Sequence, residues 1–175
     1  MTTARNRTRQ VTLLGILTAL CVALRIVKIP FPNVQPVTDI LMIVTLLLGV
    51  SAGLLLAVST MVISNIFLGF GLWTLPQIGA YALCILLVAL VKWLLPLTRW
   101  FWLQLVIATA LGFVYGFLIS IGMAAIGSLE GVGFWAYYLA GIPFDAYHAV
   151  GNLLFYPLLI KPLTITLKKY WEREV

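Results

Sequence analysis

Charge is what this 175-residue sequence has least of: 9% of its residues are Asp, Glu, Lys or Arg, against about 25% in a soluble domain. So few charges cannot clothe a water-soluble surface of this size. With 63% hydrophobic residues, a mean hydropathy of +1.11 and apolar runs recurring from residue 11 to residue 167, the natural solvent is a bilayer. Histidine occurs once and cysteine twice. Cys21 and Cys84 lie in the middle of apolar runs and read as small hydrophobes, neither a disulfide nor a metal pair. No G-x-x-x-x-G-K-[ST] phosphate loop is present, so the chain does not cradle a nucleotide by that device. The basic N-terminus MTTARNRTRQ precedes a stretch that lacks a small-residue cleavage site and is long enough to span, which argues against a removed signal peptide.

What is abundant is spanning sequence. A transmembrane helix takes about 20 residues, so six need about 120 and leave roughly 55 for tails and connections. The punctuation predicts an all-α, integral membrane bundle of six transmembrane helices in one membrane domain over 1–175. The helices are expected at about 11–28, 38–50, 52–68, 76–95, 101–127 and 142–167. The shortest connection is GVSAG at 49–53, read as a tight helical hairpin.

The net charge of +6 is a topology signal, and nucleic-acid binding is not expected. Arg5, Arg7, Arg9, Lys92, Arg99, Lys161, Lys168, Lys169 and Arg173 all fall on one side of a six-span path. The positive-inside rule then puts both termini in the cytoplasm of a multi-pass cell-membrane protein. Arg25, Lys28, Asp39, Glu130 and Asp145 are left for the outer side. Trp93, Trp100, Trp102 and Trp171 sit near inner helix ends, where an interfacial belt belongs.

Polar groups inside a membrane are costly unless they face partners, water or a substrate, and here they crowd the outer ends of the helices. Asn33, Gln35 and Asp39 lie in or just after a connection with three prolines, K-I-P-F-P-N-V-Q-P-V-T-D, which cannot be helical throughout. They face a solute or solvate the loop. Asn65, Trp73, Gln77 and Tyr81 surround S-N-I-F-L-G-F-G-L-W-T-L-P-Q. A glycine-rich connection bearing Trp73 suits a cover over a ligand, or an ordinary interfacial turn. Asp145, His148 and Asn152 recur at i, i+3 and i+7 in G-I-P-F-D-A-Y-H-A-V-G-N, on one helix face. Three readings stand: a proton relay or metal site, for which the ligand count is too small; an N-terminal cap with a satisfied histidine; or a polar wall of a solute pocket. In the first helix Gly15, Ala19 and Ala23 form a small-residue stripe, either internal packing or a surface for a partner helix.

These features resemble the substrate-binding S components of energy-coupling factor (ECF) vitamin transporters. The resemblance covers essentially the whole chain and rests on P-N-V-Q-P at 32–36, the segment 64–77 and the segment 141–152; it is most similar to the cobalamin-specific members. It implies capture of a vitamin at the outer face and association with a transmembrane scaffold (T) subunit and two ATPase subunits, followed by toppling to deliver the solute. ATP is then used by the partners, with no cofactor on this chain. It also implies that Gly15, Ala19 and Ala23 meet the scaffold, and that the substrate-binding residues are among those at the outer end. The alternatives are an S component for another vitamin such as folate or pantothenate, a stand-alone proton-coupled transporter using Asp145 and His148, and an intramembrane enzyme. Against the second, no inverted repeat of interrupted helices is visible. Against the third, there is one His, no nucleophile motif and no carboxylate pair other than Asp39 with Asp145.

Overall fold

The computed structural model describes residues 2–27, 32–129 and 131–171, with the side chains of 2–6 and 171 left aside. Lys28, Glu130 and Arg173 lie outside the described residues, as does the Trp171 side chain. Six helices follow one another: α1 (Thr2–Ile26), α2 (Val37–Leu48), α3 (Val50–Leu68), α4 (Thr74–Leu94), α5 (Phe101–Ala125) and α6 (Phe134–Trp171). No strand occurs among the described residues.

Five of the helices are long and apolar enough to cross a membrane. The exception is α2, whose 12 residues reach about 18 Å at 1.5 Å per residue, short of the roughly 30 Å of a hydrocarbon core. The expected six full-length spans are thus five, plus one short helix. The physical reason is burial. Every residue from Val37 to Leu46 is buried, and α2 touches each of the five other helices. A helix covered on all sides is apolar all round and has no lipid thickness to match.

Gly49 alone links α2 to α3, at φ 95°, a left-handed conformation that favours glycine. The two helices then run back against each other so closely that a side chain at Gly53 would meet the Thr45 side chain. At the same end, the Lys92 ammonium donates to the Leu46 carbonyl at 2.9 Å, satisfying one of the acceptors that a helix C-terminus leaves open.

Two boundaries differ substantially from the sequence expectation. The N-terminal tail continues α1 back to Thr2, because residues such as Arg and Gln are good helix formers without being apolar. At the other end of the chain, α6 starts at Phe134 and holds Pro143, Pro157 and Pro162 inside it. Pro143 is therefore not a first-turn residue, and Asp145 is no N-terminal cap. The proline removes one helical donor, that for the Leu139 carbonyl one turn earlier, and the helix continues through it.

Among the glycines, the tightest approach to another helix's backbone is that of Gly112 on α5 to α6. A methyl group placed on Gly112 would lie 2.5 Å from the Ala149 nitrogen and 2.6 Å from its Cα, so only glycine permits the crossing. Gly112→Ala is expected to cost about 1–3 kcal/mol of stability through overpacking, read as a lowered midpoint of thermal unfolding in detergent.

Candidate functional site

Antiparallel succession brings the end of α1, the starts of α2, α4 and the Asp145 region of α6, and the ends of α3 and α5 to one end of the bundle. Contacts across it are specific. Thr38 Oγ1 and His148 Nε2 are 2.7 Å apart, and Thr38 Oγ1 lies 3.4 Å from the Tyr81 hydroxyl. The Tyr81 and Tyr115 rings are tilted by 37° with centroids 4.3 Å apart. His148 meets Tyr115 edge to face at 5.3 Å. Arg25 donates to Ser64 Oγ at 2.8 Å and also reaches Met61 Sδ.

Two cavities open here. The smaller, about 70 Å³, is lined by Arg25, Asn33, Gln35, Gln77, Tyr81, Tyr115 and His148. The larger, about 340 Å³, lies between α5 and α6, with Gly116, Ser120, Tyr137, Phe144 and Asp145 in its wall. Asn33 and Tyr115 belong to both. Asn33 holds φ at 60°, a left-handed value asparagine tolerates better than most residues.

Of the residues singled out from sequence, Asn33, Gln35, Gln77, Tyr81, Asp145 and His148 line these cavities. The other four line neither of them. Asn65 is buried and donates to Thr74 Oγ1 at 3.0 Å and Gln77 Oε1 at 2.8 Å. Its effect is indirect: with the Gln77 oxygen engaged, the Gln77 amide N–H groups remain as donors beside the cavity. Trp73 is 46% exposed and lies over Gly71, where any side chain would overlap its ring. Asn152 is buried and donates to the Ala108 carbonyl at 2.8 Å, with its own Oδ1 unpartnered. Asp39 lies in the first turn of α2, 0% exposed, so it neither lines these cavities nor solvates the connection, and neither carboxyl oxygen has a hydrogen-bond partner.

Several cavity residues escape the sequence reading. Arg25 reads there only as one of the charges left for the outer side. Tyr115, Tyr137 and Phe144 look like ordinary apolar or interfacial aromatics. Gly116 and Gly112 do carry a signal, a G-x-x-x-G spacing within an apolar run, and it marks the α5–α6 crossing that shapes the larger cavity.

Gly15, Ala19 and Ala23 lie far from these cavities in character. All three are exposed and line an apolar groove of about 590 Å³ between α1 and α3, with Leu55, Ser59 and Phe67 on the opposite wall. Nothing lies within 4 Å of where a Gly15 side chain would start, so the stripe faces outward and is not internal packing.

This arrangement offers hydrogen-bond donors and acceptors, one guanidinium, one carboxyl group and aromatic faces. Among the described residues, no group of three or more His, Cys, Asp or Glu is placed to hold a metal ion. Residues 9–160 match the family described as ECF transporter, substrate-specific component. Neither a curated protein nor a solved structure matches the chain. That match spans most of the sequence, with partners and a small-molecule substrate implied by it: the chain belongs to the substrate-specific components of ECF transporters, multi-pass membrane subunits that bind a solute for transport and are not enzymes.

Proposed function

We propose that this protein captures a vitamin at the outer face of the cell membrane and releases it inward only with a transmembrane scaffold and two ATPases. The observation that carries this reading is the pairing of two unlike surfaces. A polar, aromatic-lined pair of cavities occupies one end of the bundle, and an apolar groove with a small-residue floor faces outward on α1. The first suits a solute and the second a partner helix within lipid. The charge pattern supports an outward-facing cavity end. Lys92, Arg99, Lys161, Lys168 and Lys169 belong to the opposite end, which by the positive-inside rule is cytoplasmic, together with both termini. On this path α2 and its proline-rich approach complete a sixth crossing inside the protein.

Sequence resemblance points to cobalamin. The volume of the larger cavity, about 340 Å³, favours a second reading, since it falls at the low end of the roughly 300–1,000 Å³ that hold drug-sized ligands. A corrinoid is larger than such ligands and must displace the 32–36 segment, whose Asn33 and Gln35 stand in the cavity walls, whereas a smaller vitamin fits as the bundle stands.

A binding screen of the detergent-solubilised protein against water-soluble vitamins tests both. One vitamin is expected to bind stoichiometrically without ATP, and vesicles are expected to accumulate it only when scaffold and ATPases are present. Uptake by this chain alone, driven by a proton gradient, overturns the proposal in favour of a secondary transporter.

A further inference from the structure

Resting on the reading of this end as the solute site, we infer that the preferred solute is dipolar, with an acidic group held at Arg25 and a basic or N–H-donating group held at Asp145, on opposite sides of a planar ring.

Two charged side chains of opposite sign line the two cavities, one in each. Arg25 lies in the wall of the smaller and Asp145 in that of the larger. Neither forms an ion pair with a described residue, and Asp145, although only 7% exposed, hydrogen-bonds to none of them. Arg25 is held by neutral groups alone, Ser64 and Met61. Five guanidinium donors are far from saturated by those two. Arg25 is partly buried and Asp145 buried; a charge withdrawn from water without a countercharge is destabilising, and here each faces a cavity through which a ligand supplies one.

The lining is otherwise neutral, with Tyr81, Tyr115, Tyr137 and Phe144 as its aromatic members. Tyr115 stands in the wall of both cavities, so it lies between the charged groups. The Tyr81 ring is packed on one side of it and the edge-to-face His148 on another. A flat ring is the shape such a wall accepts. The other residues in the wall of the smaller cavity are amides, phenols and an imidazole, whose N–H and O–H groups serve an anion as donors. On the Asp145 side, Ser120 already donates to the Gly116 carbonyl at 3.0 Å. The Asp145 carboxyl group is the acidic group in that wall, and it is the acceptor with which a cationic or N–H-donating group makes a charge-assisted hydrogen bond. Recognition by two opposite charges also sharpens specificity, because a solute lacking one of them leaves a buried group unpaired.

The test uses three near-isosteric probes on the full-length protein in detergent: 4-(aminomethyl)benzoate, 4-methylbenzylamine and 4-methylbenzoate. The zwitterion is expected to bind at least tenfold more tightly than either singly charged compound. R25Q is expected to abolish its advantage over the amine, and D145N its advantage over the carboxylate. This crossed pattern does not arise from misfolding, which weakens all three probes together and is monitored by thermal unfolding. Equal affinity for the three probes, or an advantage of the zwitterion that survives in both variants, overturns the inference. A neutral vitamin that binds equally to wild type, R25Q and D145N also overturns it while leaving the capture function intact. Absence of binding by every vitamin and every probe removes the capture function as well.

Discussion

Gly116→Val is expected to abolish solute binding, lowering affinity at least 100-fold in calorimetric titration of the detergent-solubilised protein. The reason is local. The Asp145 carboxyl group lies directly against the Gly116 Cα, where a Cβ would coincide with it. One turn earlier, Gly112 abuts the Ala149 backbone, so α5 cannot retreat from α6 to make room. A valine therefore displaces Asp145 and intrudes into the larger cavity at once. A 100-fold loss corresponds to about 2.7 kcal/mol, within the range for leaving a buried charged partner misplaced. Gly112→Ala serves as the control, because it strains the same crossing without lining either cavity. A loss of binding that tracks only thermal stability across the two variants counts against the cavity as the solute site, as does wild-type affinity in Gly116→Val.

The second large effect is expected on the opposite property. Ala19→Trp is expected to reduce ATP-dependent uptake by the reconstituted complex more than tenfold, with solute binding to the isolated subunit unchanged. Ala19 lies in the floor of the outward groove between Gly15 and Ala23. Association of helices in lipid depends on close backbone approach, and an indole on that floor props a partner helix away. The groove and the cavities share no lining residue, which is why transport and capture should separate. Co-purification of the scaffold with the variant measures the contact directly; undiminished co-purification and uptake exclude the groove as the docking surface.

How much of this the sequence discloses depends on whether a feature is local. The boundaries of α2, α3, α4 and α5 fall within two residues of expectation, because Gly49, Gly69 and the Pro96 region interrupt apolar runs. The start of α1 is hidden since its first residues are helical without being apolar. The start of α6 is hidden since Pro143 imitates a first-turn proline. For the site, residue types are legible but their engagements are not. Gln77 and Asn65 look equivalent in sequence, yet one faces a cavity and the other holds it in place. His148 and Asn152 share a helix face, but only His148 reaches the cavity; Asn152 lies one turn deeper and bonds to α5. Asp39, at the start of an expected helix just after the prolines, reads as facing a solute or solvating the connection, whereas burial of α2 on every side encloses it. Such distinctions arise from which helices touch, and a single helix's pattern does not encode its neighbours.

Burial of α2 also constrains how the protein is made. Twelve residues are too few to span alone, and a carboxylic acid in the first turn weakens the insertion signal further, by less than the roughly 2.5–3.5 kcal/mol that an aspartate costs at a helix centre. The segment therefore enters lipid as the leading arm of a hairpin carried by α3. It waits in an exposed, partner-seeking state until α4, α5 and α6 emerge to enclose it. Nascent chains halted before α6 are for this reason the ones most exposed to membrane quality-control proteases.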